Sequence, residues 1–85
     1  MEKQAAAVIG GLLNSAIMGG DEPEDMLAGI VDKFPPEIMV KVAQYEVEDL
    51  FAILREIQPN SAVFTPAGVN FTQTVFTQLR ATLQK

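Results

Sequence analysis

Small residues recur at every fourth position near the start of the chain, inside a segment that is otherwise apolar. They are Ala7, Gly11, Ser15 and Gly19. Residues four apart stack on one face of a helix, so these four predict a helix with a ridge that carries almost no side-chain bulk. Such a ridge lets another backbone approach closely. Because an interior glycine costs about 1 kcal/mol of helix propensity relative to alanine, the neighbouring Gly10 and Gly11 indicate either a tight packing contact or a flexible hinge.

The length of the chain limits how much stability its own core can provide. The chain has 85 residues, of which 48% are hydrophobic, and we expect one domain over residues 1–85. A chain of this size buries only about 60–65% of the surface that its unfolded form exposes. Proteins with such a small core are often stabilised by association with another chain. The sequence therefore predicts a protein partner or a homo-oligomer.

The absence of two residue types restricts the chemistry of the chain. It contains no cysteine and no histidine. Without cysteine there is no disulfide framework, no thiolate metal site and no cysteine nucleophile. Without imidazole there is no Ser-His-Asp arrangement and no histidine zinc site. We therefore expect a non-enzymatic protein with no catalytic residue, no cofactor and no metal.

Acidic residues dominate the charge and are unevenly distributed. The net charge is −5, and the tail after Glu56 carries only Arg80 and Lys85. An acidic protein gains little from releasing counterions on a phosphate backbone, so we expect no direct binding to nucleic acid. Two clusters account for most of the acidic residues: Asp21, Glu22, Glu24 and Asp25, followed by Glu46, Glu48 and Asp49.

Each acidic cluster has a structural and a chemical interpretation. Residues 21–25 could bind a cation, but they lack the alternating oxygen ligands of a calcium loop, so helix capping is preferred. Residues 46–49 could include a general acid and base pair, with Glu46 inside an apolar stripe. No nucleophile or cleft-forming loop is evident nearby, so exposed carboxylates are preferred.

The hydrophobic pattern predicts an all-α fold, a compact four-helix bundle with a long central third helix. Gly19 and Gly20 end the first helix. Asp21 and Glu24 resemble an acidic capping box at the start of the second, with Pro23 in its first turn. The third is apolar around more than half of its girth, which is typical of a central helix. The predicted bounds are about Lys3 to Met18, Asp21 to just before Pro35, about Pro36 to Ile57, and Pro66 to about Leu83.

The fourth predicted helix has a competing interpretation. Thr65 followed by Pro66 is a typical N-cap with proline at the first helical position. However, the β-branched and aromatic residues that follow favour strands. A hairpin that pairs residues 62–64 with residues 69–71 is therefore an alternative.

The apolar segment over residues 5–20 does not fit a membrane or export signal. It is too short and too polar to cross a bilayer, which needs about 20 apolar residues. Met1 to Gln4 carry one Glu and one Lys instead of a basic region, so we expect the segment to be retained as a helix. We expect no membrane span and a cytoplasmic location.

Two surfaces are candidates for contact with a partner. The small-residue ridge is the first, although such ridges also occur where helices cross inside one domain. The second is the neutral polar tail, because amides and hydroxyls cost less to desolvate than ions do; an ordinary solvated face is its alternative.

The function that we expect is that of an interaction module, which self-associates or docks as a small subunit or adaptor. The alternative is an acidic inhibitor of a nucleic-acid-handling protein. The candidate partner-binding residues are Ala7, Gly11, Ser15, Gly19, Phe71, Thr74 and Gln78.

Overall fold

The computed structural model describes residues 3–83, which form five α-helices and one short 3₁₀ turn. No strand occurs within this range, so the predicted all-α class is confirmed and the hairpin alternative is wrong. The turn, at Ala62–Phe64, lies between the last two helices. The helices are α1 (Lys3–Gly19), α2 (Pro23–Lys33), α3 (Pro36–Ala43), α4 (Val47–Ile57) and α5 (Pro66–Leu83).

Glycine ends α1 as the sequence predicts. Gly20 has a φ of 74°, in the left-handed region that favours glycine. The N–H of Asp21 donates to the carbonyl of Ala16 at 2.9 Å, and the N–H of Gly20 donates to that of Ile17 at 3.3 Å. These two bonds are the Schellman pattern, in which the last carbonyls of a helix find donors beyond its end.

The start of α2 differs from the predicted capping box. The N-cap is Glu22 instead of Asp21, and its side chain accepts no capping hydrogen bond. The helix begins at Pro23, where the missing N–H is not needed by the helix. Glu24 and Asp25 lie in the first turn, where the positive end of the helix dipole favours negative charge.

The predicted long third helix is wrong, because it is divided into α3 and α4. Glu46 is the N-cap of α4, with an extended backbone at φ −76° and ψ 147°. The change of direction takes its carboxylate out of the apolar stripe, and the residue is exposed. Glu48 and Asp49 then occupy the first turn of α4. The second acidic cluster thus marks the start of a helix.

Arg80 of α5 stabilises the break between α3 and α4. Its Nε donates to the carbonyl of Ala43 at 3.0 Å, and its Nη2 donates to the carbonyl of Tyr45 at 2.6 Å. The end of a helix leaves carbonyl groups without partners inside the helix. The guanidinium supplies a donor for one of them, that of Ala43, and for the carbonyl of Tyr45 in the segment that follows. A residue far along the chain therefore satisfies the backbone at this break.

The central helix is α5, not the predicted third helix. It packs against α1, α2, α3, α4 and the 3₁₀ turn, within overall dimensions of 34 × 26 × 19 Å. Its buried face carries Thr72, Val75, Phe76 and Leu79, and the hydroxyl of Thr72 donates to the carbonyl of Gly68 at 2.9 Å. Every other element therefore depends on α5 for part of its buried surface.

Candidate interaction surfaces

The four ridge residues of α1 do not all share one environment. Ser15 and Gly19 are exposed, and Gly11 is half-buried. Ala7 is also half-buried, and its carbonyl accepts a hydrogen bond of 3.3 Å from Nε2 of Gln58. The ridge therefore faces outward over its later positions, while its first position lies against the chain that follows α4.

The two neighbouring glycines of α1 have opposite surroundings. A Cβ added at Gly10 would lie 2.5 Å from Cδ2 of Leu54, which is fully buried, and 3.1 Å from Oε1 of Gln58. A Cβ added at Gly11 would meet nothing within 4 Å. Gly10 therefore lets α1 pack closely on α4, whereas nothing inside the protein offsets the helix propensity lost at Gly11.

This difference predicts opposite effects of two alanine substitutions. Gly10→Ala is expected to lower the free energy of unfolding by about 1 kcal/mol, because overpacking against Leu54 outweighs the gain in helix propensity. Gly11→Ala is expected to raise it by up to about 1 kcal/mol. Urea unfolding followed by circular dichroism measures both, and equal effects of the two substitutions would contradict this account of α1.

Asn14 is a structural contact that the sequence did not reveal. Its Oδ1 accepts a hydrogen bond of 2.7 Å from the N–H of Ala62, and the hydroxyl of Ser61 lies 3.5 Å away. The Ser61 hydroxyl in turn accepts from the N–H of Val63 at 3.3 Å. In the sequence, Asn14 is only an interruption of an apolar run. Its role in binding the 3₁₀ turn follows only from the fold, which places that turn beside α1.

Large apolar side chains lie exposed on the same helix as the ridge. Val8 is 48% exposed and Met18 is 75% exposed. Isolated exposed apolar residues are ordinary. Here, however, the two bracket Gly11 and Ser15, so the outward side of α1 is an uncharged strip of small and apolar residues from Val8 to Gly19. We call this strip the α1 face.

A separate apolar cavity of about 310 Å³ opens between α1, α2, α3 and α5. Its inner end is formed by core side chains, among them Leu13, Phe76 and Leu79. Its mouth includes Val8 and Ile38, which are 48% and 42% exposed. The cavity therefore connects the hydrophobic core with the protein surface.

The candidate residues of α5 lie at helical spacing. Phe71 is half-buried against the core, and Thr74 is exposed. Gln78 is half-buried in a shallow depression beside Glu24 and Asp32, and its Oε1 is buried without a hydrogen-bond partner among residues 3–83. Thus α5 carries one buried, unsatisfied acceptor beside the depression that it shares with α2.

Among residues 3–83, the acidic side chains do not assemble into a metal site. In the described part of the chain, no group of three or more Asp or Glu side chains could hold a metal ion. None of its helices has the length and apolar character needed to cross a membrane. Comparisons of the chain with protein-family models, with curated proteins and with solved structures found no match.

Proposed function

We propose that this protein is a non-enzymatic interaction module of the cytoplasm that self-associates through the α1 face. In this proposal the α1 face of one copy packs against the same face of a second copy, with the two helices crossing near Gly11. A two-fold arrangement of this kind is the commonest form of oligomer, and it needs a surface that complements itself. A strip of small and apolar residues without charge meets that need.

The observation that carries the proposal is the open space around Gly11. A glycine inside a helix costs about 1 kcal/mol, and at Gly10 the close packing of Leu54 accounts for that cost. At Gly11 no atom lies within 4 Å of a Cβ position. Gly29 of α2 has the same open space, but Gly11 also lies among the small ridge residues, and the exposed Val8 and Met18 supply apolar area around it. That combination suits close approach of a second helix.

Light scattering on the wild type and on Gly11→Leu tests this function. The wild type is expected to show a mass above that of one chain that rises with protein concentration and changes little with salt, since apolar contacts are not screened. Gly11→Leu is expected to remain monomeric at every concentration, because the added side chain holds the second helix away. Its helix content by circular dichroism is expected to equal that of the wild type.

Ala52→Leu is the matched control. Ala52 is exposed in α4, on the side of that helix opposite the buried Leu50 and Leu54. This variant adds a leucine side chain away from the α1 face and is expected to associate like the wild type. Equal association of Gly11→Leu and the wild type would refute the proposal. So would a wild type that stays monomeric throughout, and that result would direct attention to a different partner for the acidic surface.

A further inference from the structure

We propose that the apolar cavity binds a small molecule with one aliphatic chain of about ten carbons and an uncharged polar end. This inference goes beyond self-association, since it concerns a different class of partner and a cavity that shares only Val8 with the α1 face. It rests on the walls of the cavity, its volume, and the distribution of polar atoms around it.

The walls of the cavity are suited to a flexible hydrocarbon. Leu13 is fully buried, and Phe76 and Leu79 are each 2% exposed, so the inner end lies within the core. Met26 and Met39 also line it. Methionine side chains are unbranched and adaptable, and they conform to apolar ligands of varied shape. An aliphatic chain would therefore meet apolar atoms along its whole length.

The volume of the cavity limits the size of the ligand. Protein interiors are close-packed, and the voids they contain are few and small. An engineered apolar cavity of about 150 Å³ stays dry and binds benzene. The cavity here has about 310 Å³, which corresponds to about ten to twelve carbon atoms on that scale. A medium-length chain fills this space, and a long-chain lipid exceeds it.

The polar groups indicate the orientation and charge of the ligand. Gln4 is the one polar residue that lines the cavity within the described range, and it is exposed. No charged side chain in that range lines it. A carboxylate or phosphate group would find no cation there, and the protein carries a net charge of −5. A hydroxyl at the mouth, near Gln4, needs no counter-charge.

Binding of decan-1-ol to the wild-type protein tests the inference. Isothermal titration calorimetry is expected to show saturable binding of one molecule per chain, and the melting temperature is expected to rise with ligand concentration. From hexan-1-ol to decan-1-ol, affinity is expected to increase about fourfold with each methylene. Decanoate at the same concentrations is expected to bind at least about tenfold more weakly, because no cation lines the cavity.

Two aspartate variants on α3 distinguish the cavity from non-specific adsorption. Ile38 lies at the mouth and is 42% exposed, whereas Val40 is 46% exposed and does not line the cavity. Ile38→Asp is expected to weaken decan-1-ol binding at least about tenfold, since a carboxylate at the mouth disfavours apolar contact. Val40→Asp is expected to change it less than twofold, and circular dichroism checks that both variants are folded.

Three results would overturn the inference. One is the absence of saturable binding to the wild type. Another is an equal loss of affinity in folded Ile38→Asp and Val40→Asp, which would place the alcohol elsewhere. The third is decanoate binding as tightly as decan-1-ol, which would contradict the uncharged end group. Light scattering of the same samples shows whether association changes, so failure here is separable from failure of the α1 face.

Discussion

Replacing Gly68 with alanine is expected to lower the free energy of unfolding by about 3 kcal/mol, at the upper end of the usual range for overpacking. A Cβ at this position would overlap the backbone carbonyl oxygen of Ala62 and lie 2.8 Å from the Cα of Val63. Both are backbone atoms, so no side-chain rotation relieves the clash. The 3₁₀ turn must move away from α5 to make room.

The hydrogen bonds around Gly68 make that movement costly. Its N–H donates to the hydroxyl of Thr65 at 3.0 Å, which confirms Thr65 as the predicted N-cap of α5. The same hydroxyl donates to the carbonyl of Ala62 at 2.7 Å. The carbonyl of Gly68 accepts from Thr72, which is fully buried. Moving the turn strains a connected set of bonds as well as the packing.

Urea unfolding of Gly68→Ala beside Gly29→Ala is the direct measurement. Gly29 also lies in a helix, but a Cβ there has open space around it. Gly29→Ala is therefore expected to raise the free energy of unfolding by about 0.5–1 kcal/mol. A Gly68→Ala protein as stable as Gly29→Ala would show that the turn and α5 are not in the close contact described above.

Replacing Arg80 with methionine is expected to lower the free energy of unfolding by about 2 kcal/mol. The substitution keeps most of the aliphatic part of the side chain and removes both donors to the carbonyls of Ala43 and Tyr45. Hydrogen bonds that involve a charged group contribute about 1.5–3 kcal/mol when buried. The bond to Tyr45 is exposed, so water replaces it at little cost when it is lost. The expected loss of stability is therefore smaller than the full contribution of two such bonds.

A second arginine provides the control for this prediction. Arg55 is exposed, and its guanidinium lies 5.8 Å from the centre of the Phe64 ring. Arg55→Met is expected to cost only about 0.5–1 kcal/mol, the usual contribution of an exposed cation–π contact. Hydrogen exchange should also separate the two variants, with faster exchange of α3 amides only in Arg80→Met. Equal losses in both variants would contradict a special role for Arg80.

The sequence predicted where α1 ends and where α5 begins because the signals for both positions are local. The glycine pair that ends α1 and the Thr65-Pro66 pair that begins α5 act within a few residues of themselves. The division of the predicted third helix had no such signal. No proline or glycine lies between Gln44 and Glu46, and the apolar spacing continues across the break. The donors that satisfy the backbone there belong to Arg80, 35 or more residues away.

The candidate surfaces were predictable to different degrees. The small residues of the α1 face were visible from their spacing, but the contrast between Gly10 and Gly11 depends on the position of Leu54. Nothing in the sequence indicated the cavity, because it lies among four separate helices. In the sequence, the residues that line it have the spacing of ordinary core residues. Whether the α1 face and the α5 residues bind a partner stays a prediction.

The attachment of α1 to distant parts of the chain has a consequence during synthesis. Its polar contacts join Ala7 to Gln58 and Asn14 to Ala62, across 51 and 48 residues. At about 5–20 residues per second, the ribosome needs several seconds between making α1 and making these partners. Over that time the apolar side of α1 has neither α4 nor α5 to cover it. The nascent chain therefore passes through a period in which its first helix is open to chaperones and to premature association with other chains.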